Sequence, residues 1–292
     1  MGHSGAVVDA WRRHRQWSLA AELARRRIER YRLLVLVLLV LGALMGAAAT
    51  QSGWPRSVTG TAAGVASFAL AAAGVVQQRH LTATEMVRWP VARAASETLK
   101  AEIVRYLAGV APYDGSDRDD VLNGQVDRVQ DRASRSPAGL SDFHAVRPDG
   151  REPPPIDGFP GYRVERAQKQ ADWHRMSIAE HERRAALIRR AEVAASLAGA
   201  VLAAVAAGTG TSSLAGWVGV AATVAATLGA HLAANDHERI AATYAVTADV
   251  LDRLLARLPA SPDADTEMRF VADVEARLAA QNDAWLELFP QP

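Results

Sequence analysis

"RRRIERYRLLVLVLLVLGALMG", residues 25–46, sets five arginines against an apolar run. From Leu33 to Met45 no side chain carries a charge. A helix rises 1.5 Å per residue, so roughly 20 such residues cross a bilayer, with about 17–25 as the working range. The run is the first of four apolar blocks, at about 33–50, 58–76, 193–208 and 214–234. None contains Asp, Glu, Lys or Arg; only His231 is ionisable, and it lies near an end. Blocks one, two and four have the length to span. Block three is short and must borrow from its flanks.

The blocks pair. "QSGWPRS" separates the first two and "TGTSS" the last two. Gly, Ser, Thr and Pro supply tight turns, and neither connector can hold a folded domain. The reading is two helical hairpins, each crossing and returning. The Leu- and Val-rich first block argues against the alternative, a buried core in a water-soluble helical protein. For the Ala- and Gly-rich third and fourth blocks that alternative stays open.

Charge gives the orientation. Arg25, Arg26, Arg27, Arg30 and Arg32 precede block one, and Arg79 and Arg88 follow block two. Arg183, Arg184, Arg189 and Arg190 precede block three, and Arg239 follows block four. The connectors hold only Arg56. Positive residues accumulate on cytoplasmic flanks, so both termini and the 78–192 region are expected in the cytoplasm. Trp54 and Trp217 at the connector side, and Tyr31 at the inner edge, suit the aromatic belts. The charged preamble of block one is too long for a cleavable signal. The localisation expected is a bacterial cytoplasmic (inner) membrane.

The totals exclude several classes. The 292 residues carry a formal charge of +1, so nothing argues for a nucleic-acid partner. There is no cysteine, which removes disulfides, thiolate nucleophiles and cysteine-ligated zinc. Only Lys100 and Lys169 are lysines. His174 and His181 share a helix face, but no acidic pair completes a metal site, and "AEHERR" lacks the second His of a zincin helix. "GTGTSS" lacks the third glycine of a dinucleotide fingerprint and joins two apolar helices. No catalytic, cofactor-binding or metal-ligating residue is assigned. Charged residues inside the spans, which mark coupled transporters, are missing as well.

Outside the spans the halves match in plan. Each opens with a charged amphipathic helix bearing Trp (Trp11 and Trp17, then Trp173), and each closes with a charged helix after its hairpin. After the second hairpin, Ile240, Tyr244, Thr247, Leu251, Leu254, Leu255 and Leu258 form one apolar face. The periodicity leaves the membrane without a breaker, which predicts long continuous helices, with a kink at Pro90. "SDRDDVLNGQVDRVQDRA" predicts a helix, and the Pro- and Gly-rich 136–161 stretch a linker. The organisation expected is a first two-span domain at 1–135, that linker, and a second two-span domain at 162–292, all-α throughout.

Within the spans the polar features are small. Gly60, Gly64 and Ser67, with Ala71 and Gly74, make a small-residue face on block two, and block one offers Gly42 and Gly46. In block four Gly219, Thr223, Thr227 and His231 recur at four-residue steps. These residues either line water in an oligomeric pore or pack helix against helix. Trp173, Leu251 and Trp285 are candidates for binding a cytoplasmic partner.

The ordered pattern Tyr162, Arg166, Gln170 and Trp173, a hairpin, Tyr244, then Phe270, Val271, Glu275 and Trp285 resembles the SLATT superfamily. These are bacterial two-transmembrane effector domains associated with nucleotide-second-messenger synthases and nucleotide-sensing domains. "WPVARAASETLKAEIVRYLAGVAPY", with Arg93, Glu97, Leu99, Lys100 and Tyr113, looks like part of a second, divergent copy. The resemblance implies a non-enzymatic, pore-forming or membrane-perturbing effector in conflict systems, without cofactor. Its partners would be the lipid bilayer, further copies of the chain, and a separate nucleotide-signal sensor or synthase. Accessibility labelling is expected to place the 112–160 region on the same side of the membrane as both termini; labelling from outside the cell would overturn the topology.

Overall fold

The computed structural model describes residues 3–135, 140–235 and 237–287. Among these there is no strand; the fold is all-α. The helices are α1 (Gly5–Ala49), α2 (Arg56–His80), α3 (Ala83–Ala108), α4 (Arg118–Ser134), α5 (Leu140–Ala145), α6 (Gly158–Tyr162), α7 (Lys169–Thr209), α8 (Ala215–Asn235), α9 (His237–Arg257) and α10 (Ala264–Glu287). A π-helical turn, Arg163–Gln168, joins α6 to α7. The chain forms two compact units, and both sequence halves contribute to each. One comprises residues 1–27, 83–178 and 242–292, the other 28–82 and 179–241.

The second unit holds the apolar hairpins. Among the described residues four helices are long and apolar enough to cross a membrane. Their turns need left-handed backbone, and glycine supplies it: Gly53 has φ 95° and Gly210 φ 66°. In the third and fourth spans only 6% of the apolar window is buried. Phe68 is 75% exposed, Val201 62% and Leu197 61%. A water-soluble bundle turns such side chains inward. Here they face outward, which removes the soluble-core alternative for the weakly apolar blocks. The short third block gains its length from the flank, since α7 runs unbroken from Lys169 to Thr209.

Small residues set the contacts within this unit. A Cβ on Gly42 would meet Leu70 Cδ2 at 2.7 Å, so α1 and α2 close over it. One on Gly199 would meet the Ala221 methyl at 3.2 Å. At the hairpin tips Gly216 lies against Ala47, 3.0 Å from its Cα by the same measure, and Gln51 Nε2 donates to the Ser213 carbonyl at 3.2 Å. At the other end Tyr31 stacks on His80, with centroids 4.1 Å apart. The inward face of α2 is Ala62, Ala66, Ala69 and Ala73.

The first unit is a helical bundle around α3. Leu99, Ile103 and Tyr106 of α3 join Trp17 of α1, Leu122 and Val126 of α4, and Phe143 in one core. Val104 and Ala108 of the same helix join Tyr162, Leu251, Phe270, Val271 and Val274 in another. A helix flanked by cores on two sides has no single apolar stripe. The ends carry ordinary caps: Ser4 Oγ accepts from Val7 N (3.4 Å) and Asp263 Oδ1 from Thr266 N (2.8 Å).

Two expectations change. The exit from the first hairpin is not one continuous helix: α2 ends at His80 and α3 begins at Ala83. Thr82 and Glu85 then occupy the first and last places of a capping-box pattern, a start signal that apolar periodicity does not register. Pro90 lies inside α3 and is buried. The 136–161 stretch, read as a linker, is docked where it is described. Trp17 packs on Phe143 (4.5 Å), Gln16 Nε2 donates to the carbonyls of Phe143 and Val146 (2.9 Å each), and Arg15 pairs with Asp149.

His14 makes the bundle sensitive to acid. It is 4% exposed, with Nδ1 2.9 Å from the Ser96 carbonyl oxygen. Burial lowers its pKa to about 4, from 6.5. Between those values the unfolded chain takes up a proton that the folded one refuses. The stability contributed by His14 is therefore whole above pH 6.5 and falls by about 3 kcal/mol as pH drops towards 4. Thermal unfolding of the detergent-solubilised chain between pH 7 and 4.5 is expected to show this loss, and His14→Asn to show a shallower one. Equal slopes would refute it.

Candidate functional site

The bundle is closed by a buried ion pair. Arg166 and Glu275 are 3% and 1% exposed. Arg166 Nε donates to Glu275 Oε1 and Nη2 to Oε2, each at 2.9 Å, and the Tyr162 hydroxyl donates to Oε1 at 2.8 Å. Two parallel bonds from a planar guanidinium are the strong arrangement for a carboxylate. Arg166 sits in the π-helical turn, and Tyr162 precedes it. π-helical turns are rare and concentrate at functional positions. Burial acts to lower the Arg166 pKa, and Glu275 outweighs it and holds it above its ordinary value. Burial, reinforced by the Glu275 charge, pushes the Tyr162 hydroxyl well up.

Beside this pair lies a cavity of about 280 Å³. Arg93, Glu97 and Lys100 of α3 line it, with Arg166, then Gln170, Trp173 and His174 from α7, and Leu278, Gln281 and Asn282 from α10. Positions 93, 97 and 100 follow helical steps of four and three, so they share a face of α3. Burial alone would raise the Glu97 carboxyl; the charges of Lys100, Arg93 and Arg166 outweigh it and hold it low. Burial and then the Arg166 charge push Lys100 down. Burial also lowers His174, whose Nδ1–H donates to the Gln170 carbonyl at 2.6 Å while Nε2 faces Gln281 Oε1 at 2.7 Å.

The motif residues quoted from the two sequence halves therefore meet at one place. Arg93, Glu97 and Lys100 face the same space as Arg166, Gln170 and Trp173. Tyr113 lies apart, donating to Glu102 Oε2 at 2.5 Å. No group of three metal-ligating side chains gathers among the described residues. His181 instead has its Nδ1 2.9 Å from that of His237.

The partner-binding candidates divide. Trp173 is 41% exposed and packs on Tyr244, centroids 5.2 Å apart. Leu251 is fully buried in the core, so it packs the bundle and offers no surface. The Trp285 side chain lies outside the described residues. In the hairpins, the Thr223 hydroxyl donates to the Gly219 carbonyl (2.9 Å) and Thr227 to that of Val224 (3.0 Å), so each turns back on its own helix. Gly219 is exposed, and His231 is half-buried. Gly60, Gly64 and Ser67 lie on the exposed side of α2, away from its alanine face, and a Cβ on either glycine would meet no other element among the described residues within 4 Å.

Two apolar hairpins of membrane length and a polar helical bundle define an all-α membrane protein. Within that class, residues 162–285 match the model of the SMODS and SLOG-associating 2TM effector domain 1. Residues 15–120 match the model of a protein family of unknown function, DUF4231. The likeness of the first half to the SLATT superfamily thus rests on its residues alone. No curated protein and no solved structure matches the chain.

Removing one partner of a buried ion pair strands the other. Arg166→Met is expected to lower stability by about 3–5 kcal/mol in urea unfolding, and Arg166→Met with Glu275→Met to recover most of it. A double variant as unstable as the two losses added would refute the coupling.

Proposed function

We propose that the chain is a membrane effector that acts by oligomerising and opening a conducting path, in a bacterial conflict or defence system, under the control of a separate sensor. It is non-enzymatic in this reading. The observation that carries it is the outward apolar surface of the hairpins: Phe68, Leu197 and Val201 are each more than 60% exposed, and only lipid or further copies of the chain make that state favourable. The match of residues 162–285 to a two-transmembrane effector domain supports the effector role. The arginine flanks support an inner-membrane location with both termini in the cytoplasm. Four weakly polar helices enclose little by themselves, so the conducting state needs several copies. Bare small-residue faces such as Gly60 and Gly64 permit close approach between copies.

A second reading keeps the hairpins as an anchor and gives the work to the bundle, which would bind a cytoplasmic partner. The hydroxyls of Thr223 and Thr227 are in keeping with it, since each spends its donor on a carbonyl of its own helix. The exposed ring of Trp173 favours it too.

Reconstitution in liposomes separates the two. Ion flux dependent on the oligomer is expected, with Thr227→Leu changing conductance but not assembly. Replacing the hairpins by an unrelated anchor is expected to abolish the effect on cells. A chain that keeps its effect on that anchor, and passes no ions as an oligomer, is a scaffold.

A further inference from the structure

We propose that the cavity beside the Arg166–Glu275 pair is a binding site for a phosphoryl group. The claim concerns the bundle alone and holds whether or not the hairpins conduct.

Three cations, Arg93, Lys100 and Arg166, line the cavity with the carboxylate of Glu97; Glu275 pairs with Arg166 from behind the wall, which leaves the cations in excess by one. Arg166 is already fixed through Nε and Nη2 to Glu275, so its direction is set before any ligand arrives. Its remaining nitrogen, Nη1, is buried with no hydrogen-bond partner. A charged donor left in that condition costs free energy, and Arg166 lines the adjoining space. Guanidinium groups bind phosphate with the same fork geometry that they use for carboxylates. Glu97 is the one carboxylate on the wall, held ionised by the charges of Lys100, Arg93 and Arg166 around it. Gln170, Gln281 and Asn282 add amide groups to the wall, and amides donate to phosphoryl oxygens as readily as to one another.

Size narrows the ligand class. Pockets for drug-sized molecules run from about 300 to 1,000 Å³. At about 280 Å³ the cavity lies just below that range, so a phosphoryl group fills only part of it and leaves room for some of what bears it. Trp173 lines the same space and is 41% exposed, so whatever the phosphoryl group carries leaves past an indole. Free phosphate, a nucleoside monophosphate and a lipid phosphomonoester share the required chemistry.

Isothermal titration of the full chain in a neutral detergent tests the site. The probes are inorganic phosphate, adenosine monophosphate and a short-chain phosphatidic acid, each against chloride at matched ionic strength. At least one is expected to bind saturably, and the tightest names the source. Lys100→Gln, which leaves the Arg166–Glu275 pair intact, is expected to weaken that binding by about tenfold or more. Arg93→Gln is expected to do the same, and circular dichroism with unchanged thermal unfolding in chloride confirms that each variant is folded. Heats that match chloride for all three probes, or equal affinity in the folded Lys100→Gln chain, would overturn the proposal.

Discussion

A backbone that enters hydrocarbon finds no water to bond, so each N–H and C=O must be paired within its own segment. That constraint fixes most of this protein. It makes the apolar blocks helices and confines their irregular backbone to the short turns, where Gly53 and Gly210 take up left-handed conformations. It also allows weakly apolar, alanine-rich blocks to remain stable with their side chains turned outward. In water the same surface would have been buried. Contacts between helices then fall to small residues, because apolar side chains gain little by leaving lipid for one another. Gly42, Gly199 and Gly216 are where the helices come close.

The bundle obeys the opposite rule. There apolar area leaves water, and α3 gathers the gain on two sides at once. Such a helix leaves no solvated stripe for charges, so Arg93, Glu97 and Lys100 end up lining a cavity. The Arg166–Glu275 pair is tolerated inside the bundle because its geometry is bidentate and Tyr162 occupies a further lone pair. Pairs of this kind add little to stability compared with apolar packing, but they discriminate strongly against arrangements that leave one partner alone. In this chain the pair joins the π-helical turn to α10, which are far apart in sequence.

The hairpins were legible in the sequence because their signal is an exclusion. Long runs without charge have few explanations, and the arginine flanks repeat at both hairpins. The apolar face from Ile240 to Leu251 was legible for the same kind of reason. The interleaving of the two halves was not, since periodicity reports which face of a helix is buried and never against what. Leu251 shows the cost: its pattern position marks a buried face, and only the fold shows that α10 already covers it. The break before α3 was written in Thr82 and Glu85, but apolar spacing passes over polar caps. The cavity was half legible. Its residues stood in the two motif stretches at helical steps, and what periodicity could not supply was that those stretches meet.

The bundle's construction from three separated stretches has a consequence for biogenesis. Arg166 is synthesised 109 residues before the carboxylate that receives it. Between the two, the ribosome delivers the whole second hairpin. The bilayer therefore receives its helices while the polar unit is still an open assembly, and α10 acts as the late clasp. Maturation of the soluble part is in this way subordinate to insertion: a chain in which only one span of the second hairpin enters the lipid has its closing segment made on the side of the membrane opposite Arg166.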